Sequence, residues 1–241
     1  YFMKNLMLTI FTKLLLTIHS KTKLSLMFCF VSAFLSAFLD ALTVTAVLIA
    51  VAVGFYRIFH LVNSGLAFST STHDYQDDSS LSEAGIEDLE NFKAFLRDLI
   101  MHGVVGTALG GVCTIVGEPQ NLLIANVAGW EFIEFMIKMA PITVPVFIAG
   151  MITCFVIEKL HICGFGNHLP LRIKNIFHEF NDYEISQSTD ESRLELYIEM
   201  LVGIFLIIAL ALHLAAVGII GLGVIILLTS FKGITHEHDL G

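Results

Sequence analysis

Charge is what this sequence has least of: 15% of its residues are Asp, Glu, Lys or Arg, against 56% hydrophobic, and mean hydropathy reaches +0.80. That balance excludes an ordinary soluble domain and makes a lipid bilayer the expected solvent. Cysteine is almost as sparse. Cys29, Cys113, Cys154 and Cys163 form no C-x-x-C and three of them lie in apolar runs, so a disulfide framework and a zinc centre are both excluded and small buried apolar residues are expected instead. H-E-x-x-H, G-x-S-x-G and the P-loop are all missing, which removes the usual parts of hydrolytic and ATP-driven chemistry. An enzyme is therefore not expected, and neither is a resident cofactor. The net charge of -9 is concentrated in two polar loops, which reads as solvated surface rather than as an acidic partner for a basic protein. Nucleic acid is excluded as a partner. No cleavable signal peptide leads the first apolar segment, and a chain opening on Tyr1 and closing on Gly241 reads as an internal piece of a longer protein.

What is present is a series of apolar segments near the length that a bilayer demands, about 20 residues for about 30 Å of hydrocarbon. Phe2 to Ile18 carries Lys4 and Lys13 and reads as either an interfacial helix or the end of a span with snorkelling lysines. Leu24 to Val53 is interrupted by one charge, Asp40; as a single helix it would run about 45 Å, too long for one crossing. Lys13, Lys21 and Lys23 lie before that run and Arg57, Lys93 and Arg97 after it, so both flanks are expected on the cytoplasmic side. The run then becomes two half-length helices meeting at Asp40, a re-entrant hairpin, which is tolerated at membrane depth only where protein or water surrounds it. Phe59 to Asn91 reads as a mobile acidic loop. Beyond it a helix is expected to break at Gly117-Glu118-Pro119-Gln120-Asn121, because Pro119 has no amide donor and clashes with the preceding turn. Phe135 to Ile157 is the expected returning span, with Trp130 at the far interface. Residues 161–193 read as a cytoplasmic loop, and Leu194 to Leu212 and Val217 to Phe231 as two further spans.

Asp40 is the residue that most needs an explanation, since a carboxylate near the bilayer centre costs about 2.5 to 3.5 kcal/mol on the insertion scale. Ser32, Ser36 and Asp40 recur every four residues, placing two hydroxyls and a carboxylate on one helix face with Thr43 and Thr45 just beyond. The alternative is that Asp40 only caps the second helix. The second element is the broken segment, where Glu118 and Asn121 flank Pro119 and unwound carbonyls offer hard oxygen ligands suited to Na⁺. Gly106 and Gly110 form a G-x-x-x-G face for close approach, with Gly117 and Pro119 marking the break; a plain packing seam with a proline kink is the competing reading. With no Lys or Arg in either element, a cation is the expected cargo, with Asp40 and Asn121 as its ligands. A buried carboxylate also competes for protons, so occupancy by H⁺ or Na⁺ in turn amounts to antiport. His102 and His213, near span ends, are candidate pH sensors or ordinary interfacial histidines. His236-Glu237-His238 lacks a third ligand for a metal.

The stretches Phe34-Leu35-Ser36-Ala37-Phe38-Leu39-Asp40-Ala41-Leu42-Thr43-Val44 and Gly106-Thr107-Ala108-Leu109-Gly110-Gly111-Val112-Cys113-Thr114-Ile115-Val116-Gly117-Glu118-Pro119-Gln120-Asn121-Leu122 closely resemble the bacterial NhaB type of sodium/proton antiporter, within a wider ion-transporter superfamily. The resemblance extends to Ala211-Leu212-His213-Leu214 and Gly233-Ile234-Thr235. It implies an all-α, polytopic protein of the bacterial inner membrane, built from two inverted repeats that each hold a re-entrant hairpin and a discontinuous transmembrane helix. It further implies exchange of external H⁺ for internal Na⁺, with the lipid bilayer and these two ions as partners; a homo-oligomer is left open. Residues 1–160 then form most of the first repeat, 161–193 a cytoplasmic loop and 194–241 the start of the second. Dicarboxylate carriers of the superfamily typically carry Ser-Asn-Thr at the hairpin tip, where this chain has Asp40-Ala41-Leu42-Thr43. An acid there fits a proton-exchanging cation carrier. The readings left in competition are sodium-coupled uptake of an organic anion and a non-transporting scaffold or channel component.

Overall fold

A computed structural model of the chain describes residues 4–64, 83–167, 169, 171–187, 190–212 and 214–232. Within them every long element is a helix: α1 (Lys4–Thr17), α2 (Lys21–Phe38), α3 (Ala41–Asn63), α4 (Glu83–Gly111), α5 (Pro119–Ala128), α6 (Phe132–Leu160), α7 (Leu171–Gln187), α8 (Asp190–Ala211) and α9 (Val217–Lys232), with a short 3₁₀ turn at Ile162–Gly164. Four of these are long and apolar enough to cross a membrane: Lys21–Phe38, Ala41–Asn63, Phe132–Leu160 and Arg193–Ala211. Apolar side chains point outward as well as inward, with Leu42, Leu123, Val127, Ile137, Leu201 and Ile219 all exposed, as lipid rather than water would permit.

Side-chain pairings fix the directions of the central helices. Lys21 of α2 faces Asp98 of α4, and Ser36 near the other end of α2 donates to the carbonyl of Thr107. The two helices therefore run in the same direction. Helix α3 runs against α4, since Thr45 meets Thr107 near its start and the ring of Phe59 meets that of Phe92 at its end. It follows that α2 and α3 are antiparallel and joined at Leu39-Asp40. Helix α6 runs against α2, from Phe132 beside Phe38 to Glu158 beside Lys21.

The closest packing is between α2 and α4, and glycine makes it possible. A Cβ on Gly106 would overlap the carbonyl of Cys29, and one on Gly110 that of Ala33. The G-x-x-x-G face thus seats α4 on α2 at Cys29 and Ala33, where backbones meet without intervening side chains. At the hairpin's open end Phe55, Phe59, Phe92 and Phe95 are buried and joined by Phe177 of α7. Aromatic burial of this kind is a large share of what holds an apolar bundle together by contact.

Several expectations need correction. The two hairpin helices are not half-length: α2 has 18 residues and α3 has 23, because each extends beyond the apolar run at its outer end. The expected loop over 59–91 is narrower, since Phe59–Asn63 complete α3 and Glu83–Asn91 open α4; the acids Asp74, Asp77 and Asp78 lie outside the described residues. The 161–193 connection holds α7, whose Ile173 and Phe177 are buried. Pro141 and Pro145 sit inside α6 without ending it. His213 and the His236-Glu237-His238 triplet also lie outside the described residues.

Candidate functional site

The hairpin tip is built on Asp40, which stands at φ 137°, ψ 150°, a backbone region that is almost exclusively glycine's and that costs of order 1–3 kcal/mol for a residue with a Cβ. Its carboxylate accepts from the amides of Leu42 (2.9 Å) and Thr43 (3.0 Å) through Oδ1, and from the Thr43 hydroxyl through Oδ2. Asp40 is thus the N-cap of α3, the alternative that the sequence left open, and Thr43 is its partner. Because α2 ends at Phe38 and the chain turns sharply, Asp40 does not continue the Ser32–Ser36 face; that expectation fails at the turn. Ser32 and Ser36 remain on one buried face of α2, with Ser36 Oγ donating to the Thr107 carbonyl at 2.8 Å and Ser32 Oγ left without a partner.

The break in the second element begins earlier than the proline. Helix α4 ends at Gly111, residues 112–118 are irregular, and Pro119 opens α5 at its first position, where a missing N–H costs nothing. Glycine, not proline, ends α4. The loop folds back on itself: a side chain on Gly117 would collide with the backbone of Gly111, and the space over Gly111 is taken by the carboxylate of Glu118. Asn121 is buried and donates from Nδ2 to the carbonyls of Gly111 (2.9 Å) and Thr114 (2.8 Å). The carbonyls expected to stand free for an ion are therefore held by Asn121 in this conformation. The Thr114 hydroxyl donates to the Ala37 carbonyl, tying the broken segment to the end of α2 three residues before Asp40. Ser36, Asn121, Gly106, Gly110 and Gly117 are thereby brought into one packed unit, with Asp40, Thr43 and Glu118 half-buried at its margin.

Replacing Asn121 by Ala strands two buried carbonyls, a cost of about 1–3 kcal/mol for each group left unsatisfied. The variant is expected to lose at least about 2 kcal/mol of stability, read as a lower apparent Tm in detergent. An unchanged Tm would mean that those carbonyls find other donors.

A second polar cluster was touched by the sequence reading only at His102, the candidate pH sensor. Lys21, taken for part of a basic cytoplasmic joint, is 6% exposed, between Asp98 (3.7 Å) and Glu158 (3.4 Å), beneath the ring of Phe95 and donating to Ser25. His102 Nε2 lies 2.9 Å from Glu158 Oε2. The available signal was Asp98 and His102 themselves, four residues apart and so on one face of α4; their partners on α2 and α6 are distant in sequence and gave none.

A family model described as "Bacterial Na+/H+ antiporter B (NhaB)" matches residues 1–241. The chain belongs to the NhaB family. Relatives named "Na(+)/H(+) antiporter NhaB" include those of Aeromonas hydrophila, 56% identical over 241 residues and covering all of this chain and 46% of that protein. The relative from Teredinibacter turnerae is 57% identical, with 48% of its length covered, and one from Vibrio cholerae is 56% identical, with 45% covered. The chain thus spans about half the length of the curated NhaB relatives it matches. No solved structure matches it.

Proposed function

We propose that this chain supplies the cation- and proton-binding elements of a Na⁺/H⁺ antiporter in the bacterial inner membrane. The observation that carries the reading is the strained Asp40. A carboxylate held in a glycine conformation at a helix junction, and packed through Ala37 and Thr114 on a broken helix, carries a stability cost that glycine would remove. In this reading Asp40 takes H⁺ or Na⁺ in turn. Ser36, Thr43, Asn121 and opened carbonyls of 111–117 complete the Na⁺ cage, and Glu118 stands beside it. Loading Na⁺ there requires Asn121 to release the Gly111 and Thr114 carbonyls, so ion binding and opening of the break are one event.

The return of both outer ends of the Asp40 hairpin to the level of Phe92 and Phe95 supports a common side for its two flanks, with helices of 18 and 23 residues long enough to cross and return. Most of the described Lys and Arg gather toward that end, while Lys138 sits over Trp130 near the other, in keeping with a cytoplasmic location for the open end. In this reading residues 1–160 form most of the first repeat of an inverted pair and residues 194–241 the start of the next.

The test is radioactive Na⁺ uptake into proteoliposomes holding the full gene product, driven by an imposed outward H⁺ gradient. Antiport predicts uptake that needs the gradient and no organic anion. Uptake that depends on an added anion and ignores the H⁺ gradient would replace this reading by sodium-coupled anion transport.

A further inference from the structure

The Lys21 cluster lies at the opposite end of α2 from Asp40, roughly 25 Å away by helix rise, so it is not part of the candidate cation site. Its members differ sharply in how they are satisfied. Asp98 has a complete set of donors: Arg97 at 3.1 Å on Oδ1, with the Asn167 amide (3.1 Å) and Asn167 Nδ2 (3.0 Å) on Oδ2. Glu158, 2% exposed, has one: His102 on Oε2, while Oε1 accepts no hydrogen bond even though the Lys21 ammonium is 3.4 Å away.

Charge points the same way. The fully buried members are one cation, Lys21, and two anions, Asp98 and Glu158. Arg97, whose side chain is 53% exposed and which also donates to the Gly164 carbonyl, answers Asp98 from the solvent side. Glu158 shares its one paired ammonium, Lys21, with Asp98, and a buried carboxylate is costly unless its charge is matched in full. The group placed to complete the match is His102, whose ring is 3% exposed and also meets the ring of Phe165 at 4.9 Å. A proton must lie on the 2.9 Å line between Nε2 and Oε2, since otherwise two lone pairs would face each other. A second proton on the ring balances the buried charge.

We propose that His102 and Glu158 form a second proton-binding site, separate from Asp40, which takes up one proton and gates the exchange by its occupancy. The groups around it are few. Helix α2 contributes Lys21 and, about two turns deeper, Cys29, whose sulfur is 3.9 Å from that of Cys154 on α6; α6 contributes Cys154 and Glu158; α4 contributes Arg97 and Asp98. Helix α3 presents Leu48 beside Gly103 at this level, and its ionisable residues Tyr56, Arg57 and His60 lie further along toward Phe92. The gating rests on the antiport reading; the proton site itself does not.

Glu158→Gln keeps the shape and a hydrogen bond to Nε2 but removes the charge that a ring proton balances. Two profiles are measured on the full gene product between about pH 5 and about pH 8, where histidine titrates: the rate of Na⁺-driven proton movement in proteoliposomes and the apparent Tm in detergent. Expected in the variant are a rate profile displaced by about one pH unit or more and a flattened dependence of Tm on pH. The unmodified protein should lose Tm as pH rises and the balancing proton leaves. If both variant profiles match the parent after a uniform scaling or offset, the cluster is only a clamp between helices and the proposal is overturned. Should the parent show no exchange, the antiport reading fails alone, because the Tm profiles still decide the proton site. Should Glu158→Gln not assemble, Glu158→Asp, which keeps the charge but withdraws it from His102, is read by the same two profiles and the same criteria.

Discussion

Asp40→Asn is expected to reduce Na⁺-driven proton movement to below about one-hundredth of the parent rate while leaving stability within about 0.5 kcal/mol. Asparagine serves as an N-cap as well as aspartate does, so the bonds from the Leu42 and Thr43 amides survive. What disappears is the ability to hold a proton and to supply a formal negative charge to Na⁺. Asp40→Gly separates the two roles further. Removing the Cβ from φ 137° relieves about 1–3 kcal/mol of backbone strain and loses only a few tenths in capping. The glycine variant should therefore be about 1 kcal/mol more stable than the parent and as inactive as Asp40→Asn, with apparent Tm and exchange measured on the same preparations. A glycine variant that is less stable would show that the carboxylate matters mainly as a cap.

The second large effect is expected at Gly110. An alanine there would overlap the Ala33 carbonyl, and the obstacle is backbone, which cannot swing aside. Separating α2 from α4 also loosens Ser36 from Thr107 and Thr114 from Ala37. Gly110→Ala should cost about 3 kcal/mol or more, lowering the apparent Tm by roughly 10 °C. Gly54, with nothing within 4 Å of an added Cβ, is the control: alanine there should be neutral or gain up to about 1 kcal/mol from helix propensity. Equal behaviour at the two positions would contradict the α2–α4 seam.

The sequence made the helical course legible because a bilayer forces it: apolar runs of span length admit little else, and a lone acid at Asp40 or a dense run of glycines up to Gly111 marks where the run must be interrupted. The seam of Gly106 and Gly110 was legible for the same reason, since small residues every fourth position have one obvious use. The direction of the Asp40 carboxylate was not, because periodicity assumes a continuing helix and the turn at Leu39-Asp40 ends it. Pro119 was credited with a break that belongs to Gly111, as a proline that ends one helix and a proline that opens the next look alike in sequence. The Lys21 cluster was hidden for a different reason. A lysine at the head of an apolar segment reads as a topology signal, and only the fold reveals that Asp98 and Glu158, 77 and 137 positions away in the chain, are packed against it.

The most direct test is Na⁺-induced dequenching of a pH-sensitive dye in everted vesicles that lack other antiporters, comparing the full gene product with its Asp40→Asn variant at equal membrane abundance. Dequenching by the parent and none by the variant is the predicted result. Equal dequenching by both would contradict a site centred on Asp40, and none by either would contradict antiport itself.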